Sequence, residues 1–286
     1  MQIFTKINDI KAAITLLKSK KIRIGFVPTM GALHNGHLSL ISKANAENDI
    51  TVCSIFVNPV QFNNTEDFEK YPVQNDKDIE LLRYSGCEIV FIPTVKEMYP
   101  EPPNEKFNFG TLEDVMEGAF RPGHFNGVAI VVKKLFEIIT PDSAYFGEKD
   151  FQQLMIIKSL VKQLNLHIEI VSCPIIRESD GLAMSSRNIR LTEHQRKIAP
   201  EIHALLKKCA DHSMEFSLEQ VKSEFVRSIE AIPEFRLDYF EIADEGNLQP
   251  ISNWSDSDTP RAFVAIFMDK VRLIDNMKIF CNFAKS

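Results

Sequence analysis

Apolar positions along the chain fall into two kinds of run. Short blocks rich in β-branched and aromatic residues, at 22–27, 51–57, 88–92, 143–146 and 167–173, read as strands. Between and around them lie segments at 8–19, 38–46, 76–84, 126–139 and 150–164 that read as helices. In the last of these Leu154, Ile157, Val161 and Leu164 recur at helical spacing, and Asp150 with Gln153 three residues on predicts a capped start. Short strands separated by helices predict βαβ units, hence an α/β fold on a parallel sheet.

The pattern changes after about residue 175. A polar stretch at 185–190 precedes two helical segments, each with a capping-box signature, Thr192 with Gln195 and Ser217 with Gln220. Ile198, Ile202, Leu205 and Cys209 share one face of the first helix; Val221, Phe225 and Ile229 share one face of the second. Pro200 either kinks the first helix or marks its true start. Strand-like runs follow at 237–243, 262–268 and 271–274, with turn-rich sequence at 249–260. The expected organisation is a domain over 1–175 and a smaller α+β domain over 176–286.

Composition narrows the class. The chain has 286 residues, 44% hydrophobic and 25% charged, as expected of an ordinary globular protein of one large domain or two modest ones. A formal charge of −6 disfavours nucleic acid as a partner. Residues 1–10 hold no apolar core of a signal peptide, and no run approaches 18 apolar residues, so neither secretion nor a membrane span is expected. Cys53, Cys87, Cys173, Cys209 and Cys281 show no Cys-x-x-Cys pairing and read as reduced thiols of a cytoplasmic protein.

Four polar loops, 28–37, 58–62, 147–150 and 174–187, follow expected strands. Ligands of an open parallel sheet bind just outside the carboxyl ends of its strands, so these loops are expected to converge. The first, Met30-Gly31-Ala32-Leu33-His34-Asn35-Gly36-His37, joins a strand to a helix N-terminus, where backbone N–H groups and the helix dipole favour an anion. Gly36 permits close backbone approach, and His34 and His37 add donors suited to a polyphosphate. His37 is placed to give a proton or a hydrogen bond to a leaving pyrophosphate. A plain strand–turn–helix with a histidine cap would read the same way, and two histidines without a third ligand at suitable spacing disfavour zinc.

The other loops are ambiguous one by one. Asn58 to Phe62 is an ordinary Asn-Pro turn, or it offers the Gln61 amide to a small hydroxy acid. Arg121 and His124, in a glycine-bearing loop, either face anions or lie in solvent. Lys149 offers a mobile point charge for phosphate; Asp150 caps a helix, binds ribose hydroxyls or meets a magnesium-bound water; Gln153 is expected to face the pocket of Gln61. Met184-Ser185-Ser186-Arg187 is a phosphate grip or a linker turn. Neither a Gly-x-x-x-x-Gly-Lys-Ser/Thr loop nor a Gly-x-Ser-x-Gly elbow occurs, which disfavours ordinary kinases and serine hydrolases.

His34-Asn35-Gly36-His37 resembles the His-x-Gly-His signature of nucleotidylyltransferases and class I aminoacyl-tRNA synthetases. Taken together and in order, residues 27–37, 56–62, 121–128, 146–153, 181–188 and 271–276 resemble the pantothenate synthetase (pantoate–β-alanine ligase) family over almost the whole chain. The resemblance implies a Rossmann-like parallel sheet with helices on both faces, a C-terminal lid and a homodimer. It also implies a reaction in which ATP and pantoate form pantoyl adenylate, which β-alanine then attacks, with Mg2+ accompanying the triphosphate. Under it Met30, Gly31, Ala32, Leu33, His34, Asn35, Gly36 and His37 bind ATP, and the position of His37 is a proton donor. Gly147, Glu148, Lys149 and Asp150 bind adenosine and phosphate, Ile176 contacts adenine through its backbone, and Met184, Ser185, Ser186 and Arg187 close over the phosphates. Gln61 and Gln153 hold pantoate, with Gln61 beside the β-alanine entry; His34 and Lys149 join His37 in catalysis; Arg121 and His124 are mobile contributors; Asp78 is a magnesium-shell carboxylate. One departure is visible: Val73 follows Tyr71-Pro72 where the family usually has arginine, so no role of that arginine is carried over. A transferase acting on a phosphate ester and a nucleotide-binding domain without turnover are the alternatives.

Overall fold

A computed structural model describes residues 1–63 and 65–279; Cys281 lies outside the described residues. The chain runs β1 (Gln2–Phe4), α1 (Ile7–Ser19), β2 (Ile24–Thr29), α2 (Asn35–Glu47), β3 (Ile50–Ile55), α3 (Thr65–Glu69), α4 (Asn75–Tyr84), β4 (Ile89–Phe91), α5 (Val95–Met98), α6 (Met116–Phe120), α7 (His124–Ile139), β5 (Ser143–Gly147), α8 (Phe151–Gln163) and β6 (Glu169–Cys173). These six strands form one sheet in the order β1-β4-β3-β2-β5-β6, every pairing parallel.

Alternation along each strand explains why helices cover both faces. Phe26, Val52 and Ala144 turn to one side, where α1, α7 and α8 supply Ile10, Ile14, Val128, Leu135, Leu154 and Ile157. Their neighbours Val27, Cys53 and Tyr145 turn to the other, against Leu40, Ile41 and Ala44 of α2 and Leu82 of α4. From β2 the chain steps outward through β3 and β4, then returns to place β5 on the opposite side of β2. The strand order therefore reverses between β2 and β5, and a crevice opens at their carboxyl ends.

The remaining chain forms α9 (Glu193–Ile198), α10 (Glu201–His212) and α11 (Leu218–Glu230), then an antiparallel sheet of β7 (Arg236–Asp244), β8 (Pro260–Met268) and β9 (Val271–Lys278). Ile202, Leu206, Val221, Phe225 and Ile229 pack on Ile242, Val264, Ile266 and Leu273. Both expected capping boxes are present, at Thr192–Gln195 and Ser217–Gln220. Pro200 marks a start: α9 ends at Ile198 and Pro200 is the N-cap of α10. The capped start expected at Asp150 does not form. A 3-10 turn over Glu148–Asp150 precedes α8, and the Asp150 side chain makes no cap hydrogen bond.

The two sheets meet through buried ion pairs. Arg272 of β9 holds the Glu117 carboxylate of α6 with both terminal nitrogens, at 2.8 and 2.7 Å, and the Tyr239 hydroxyl of β7 donates to it at 2.9 Å. Burial pushes the Glu117 carboxyl up, but Arg272 outweighs it and holds the group down at about 2. On the other side Asn276 Nδ2 donates to the carbonyls of Glu148 and Lys149, both at 2.9 Å, and Arg177 pairs with Asp275 at 2.6 Å.

Candidate active site

The crevice at the strand switch is a cleft of 220 Å³. Its walls include Met30, His34, Gly36, His37, Gln61, Gly147, Lys149, Asp150, Gln153, Ile176 and Met184 to Arg187. All four loops that follow the expected strands thus meet in one place. Gly31, Ala32, Leu33, Asn35 and Glu148 belong to the same loops without lining the cleft.

The loop after β2 is held by its backbone. Gly31 and Ala32 both take positive φ, +81° and +50°, and a Cβ on Gly31 would lie 2.9 Å from Asp78 Oδ2. The Asp78 carboxylate accepts the N–H groups of Ala32 and Leu33, each at 2.8 Å, and the residue is 1% exposed. Asp78 was expected in a magnesium shell. It is instead buried with both oxygens committed to backbone, and it does not line the cleft.

His34 is the N-cap of α2. Its Nδ1 accepts the Gly36 N–H at 3.1 Å, and His37 Nδ1 accepts the His34 N–H at 3.3 Å. With each Nδ1 accepting, the hydrogen bonds assign each ring the tautomer with its proton on Nε2. The rings lie 4.1 Å apart. Burial, then Lys149, lowers the His34 pKa to about 4; burial, then His34 and Lys149, lowers that of His37 to about 3. Both imidazoles are therefore neutral donors at pH 7.

Gln61 ends a 3-10 turn, Pro59–Gln61, packed under α7. Gly127 makes that approach possible, because a Cβ there would meet Val60 O at 2.5 Å and Gln61 Cα at 2.7 Å. Asn58 Nδ2 donates to Gln61 Oε1 at 3.1 Å, and the Tyr99 hydroxyl donates to Asn58 Oδ1 at 3.0 Å. The Gln61 amide is thereby oriented with Nε2 toward Met30 Sδ, 3.2 Å away. The Gln153 side chain, in the first turn of α8, makes no hydrogen bond among the described residues. Phe56, Val128, Val131, Val132 and Leu135 give this end of the cleft an apolar wall. Sequence reasoning missed the wall, since its α7 residues read simply as core.

Lys149 lies 3.7 Å from Asp150. The Ile176 carbonyl accepts the Met184 N–H at 3.0 Å, which ties the two ends of the 176–184 excursion together. Ser185 Oγ accepts the Arg187 N–H, and Ser186 Oγ donates to the Ala32 carbonyl at 2.9 Å, stitching this segment to the loop after β2. Val73 is 67% exposed.

Arg121 and His124 depart from expectation. His124 begins α7 and is buried, its Nδ1 2.8 Å from the Gln61 carbonyl and its Nε2 3.0 Å from Arg121 Nη1. Burial and Arg121 lower its pKa to about 4, so the ring is neutral. Arg121 also pairs with Glu117 at 3.3 Å. Neither residue lines the first cleft; Arg121 borders a larger cavity of 490 Å³ between the two sheets. Among the described residues no group of three or more His, Cys, Asp and Glu could hold a metal ion, and no helix is long and apolar enough to cross a membrane.

The family model for pantoate-beta-alanine ligase matches residues 2–278. Pantothenate synthetases of Porphyromonas gingivalis and Bacteroides thetaiotaomicron are 49% and 48% identical over 278 residues, covering 97% of this chain and 99% of each relative. The pantothenate synthetase structure from Thermus thermophilus superposes with a TM-score of 0.92 at 40% identity, covering 98% of this chain and 100% of that one. A pantoate–β-alanine ligase from Francisella tularensis, complexed with beta-gamma ATP and β-alanine, gives 0.82 at 40% identity, covering 97% of each chain. Sequence, fold and the crevice at the strand switch agree, and the chain belongs to the pantoate–β-alanine ligase family.

Proposed function

We infer that this chain, an ATP-dependent pantoate–β-alanine ligase, runs its reaction through an acyl adenylate held in the 220 Å³ cleft. A carboxylate oxygen of pantoate attacks the α-phosphorus of ATP, and the bond to the bridging oxygen breaks to release pyrophosphate. The β-alanine amine then attacks the acyl carbon, loses a proton, and expels AMP. Neither step needs a nucleophile from the protein, so positioning and charge stabilisation carry the rate.

The backbone of Met30–His37 and the Nε2–H donors of His34 and His37 serve the phosphates. In this reading His37 acts as a neutral hydrogen-bond donor to the leaving pyrophosphate, because an imidazole held at about 3 carries no proton to give at pH 7. Lys149, Ser185, Ser186 and Arg187 meet the phosphates from the other side, Gly147–Asp150 holds the adenosine, and Ile176 meets adenine through its backbone. Gln61 donates its oriented amide to pantoate and Gln153 holds it from α8. The apolar wall from Phe56 to Leu135 fits a branched aliphatic acid and offers no cation for a phosphate ester.

Magnesium fits as a substrate-borne ion. Asp150 is the one carboxylate among the described residues that lines the cleft, which suits a cation coordinated mainly by phosphate oxygens and water, where it would neutralise developing charge. The same reading assigns ATP and pantoate binding to residues 1–175 and a lid to 176–286. It takes the active form to be a cytoplasmic homodimer.

The convergence of the four loops on one cleft carries this reading. Its test is pyrophosphate release with ATP, magnesium and pantoate. Without β-alanine, a pantoate-dependent burst of about one equivalent is expected; with β-alanine, steady turnover. Release that needs β-alanine from the first turnover would overturn the adenylate.

A further inference from the structure

Arg187 sits, with Lys149, where the cleft opens into the larger cavity between the two sheets, since each lines both. Its guanidinium is not held by its own loop. Nη2 donates to Asp67 Oδ2 of α3 at 2.7 Å, across 120 residues of sequence. The second oxygen of the same carboxylate, Oδ1, accepts from Arg190 Nη1 at 2.9 Å. Below it the Tyr71 ring lies 5.7 Å from the Arg187 guanidinium carbon. One acid thus holds two arginines of the 186–190 turn, and Arg187 keeps Nε and Nη1 without a partner among the described residues.

We propose that Asp67 is a positioning residue for nucleotide binding: by gripping one arm of Arg187 from α3 it aims the other guanidinium donors at the phosphates. The proposal rests on Arg187 being a phosphate ligand, as read above. The physical case is one of order against repulsion. Arg187 is a long side chain, with Arg190 and Lys149 as neighbours around the same cavity and the Tyr71 ring as a further support. Without Asp67 the two arginines lose the carboxylate they share, Asp150 beside Lys149 is left as the acid whose charge acts on Arg187, and the guanidinium is free to turn toward the open cavity and solvent. Freezing its rotamers then falls on the nucleotide at the moment of binding, and affinity drops.

Simple electrostatics makes the opposite forecast. Asp67 is an acid beside a site for a polyanion, so its removal should tighten ATP binding if charge alone mattered. The sign of the effect therefore decides. Calorimetric titration with ATP and magnesium, without pantoate, is expected to show Asp67→Ala binding about tenfold more weakly, the scale of a coupled charge pair. Asp67→Asn, which keeps an oxygen for one guanidinium, should fall between Asp67→Ala and the wild type. In an Arg187→Ala background Asp67→Ala should add no further loss, whereas with Lys149→Ala the two losses should multiply. Pantoate affinity should not move, and the thermal midpoint should fall by no more than a degree or two, roughly the scale of a partly exposed ion pair.

Tighter ATP binding by Asp67→Ala, or a loss that persists undiminished without Arg187, overturns the proposal. If Arg187→Ala weakens binding and Asp67→Ala does not, the proposal fails while the phosphate role of Arg187 stands. Unchanged binding by Arg187→Ala overturns both.

Discussion

The loop 30–37 and the segment 184–190 both contribute to the cleft and meet at the Ser186–Ala32 hydrogen bond, and an aspartate braces each. Asp78 is 1% exposed and accepts two backbone N–H groups, both at 2.8 Å. The Asp67 side chain is 28% exposed and accepts from two arginine side chains at 2.7 and 2.9 Å. The first brace fixes main chain in a left-handed conformation at Gly31 and Ala32, inside the fold. The second holds long side chains at the rim, where water and salt compete. One wall is therefore set when the protein folds, and the other stays open to adjustment by ligand. A reaction that must both admit ATP and stabilise its leaving group has use for each.

Acid should separate the two walls most strongly. His34 and His37 on the fixed wall are lowered to about 4 and about 3, and His124 behind Gln61 to about 4, in each case chiefly by burial. Unfolded, all three would titrate near 6.5. Their folded values lie below the unfolded ones, so the unfolded chain takes up protons first as pH falls. Their contribution is complete above 6.5 and is lost toward 4 and then 3, at about 1.4 kcal/mol per pH unit for each ring still neutral. At Asp67 burial pushes the carboxyl up, but Arg187 and Arg190 outweigh it and the net shift is downward, so its contribution fades only below 3.8. Urea-unfolding midpoints should fall steeply between neutrality and pH ~4.5, and less steeply in His37→Gln. A flat profile over that range would show that the fixed wall is not built on neutral imidazoles.

Next in size is the effect of His37→Ala on chemistry. In the proposed role a pre-aimed donor on a rigid wall acts on charge that develops as pyrophosphate leaves, so its loss should slow single-turnover adenylate formation by about 10²–10³. ATP affinity should change little, in contrast to Asp67→Ala. A His37→Ala enzyme that binds ATP poorly yet forms adenylate at the wild-type rate would put the two walls in exchanged roles.

How much of this was readable in the chain follows the same division. The parallel sheet was legible because period-two alternation and helical spacing are local, as at Phe26 and Val27 or Leu154 and Ile157. β1 was not: three residues acquire strand character only by pairing with β4. The meeting of the loops was legible because strand order constrains where loops go. Side-chain partners were not, because they lie far apart in sequence. Asp78 has the residue type of a metal ligand, and only its placement under Ala32 and Leu33 shows what its oxygens do. Arg121 and His124 looked like free cations in a loop, yet Glu117 and the Gln61 carbonyl occupy them. Asp67, Glu117 and Tyr239 carried no local signal that would have singled out their partners.

The smallest difference tests the comparison most directly, by making the same isosteric change in each brace. In Asp78→Asn the amide oxygen can accept from Ala32 or Leu33, but its NH2 then points a donor at the other N–H. Asp78 is 1% exposed, so water does not reach the group to take over the lost acceptor. A buried donor facing a donor, with the loss of charge-assisted bonds, should cost about 2 kcal/mol of stability. In Asp67→Asn the half-buried amide can turn, its oxygen keeps one guanidinium, and water at the rim reaches the other, so the change should stay within about 0.5 kcal/mol. Nucleotide affinity should nevertheless fall in both. Equal losses of stability in the two variants would mean that the rim brace is as much a part of the fold as the buried one. The weaker ATP binding of Asp67→Ala would then report damage to the fold, and the aim of Arg187 would need no separate account.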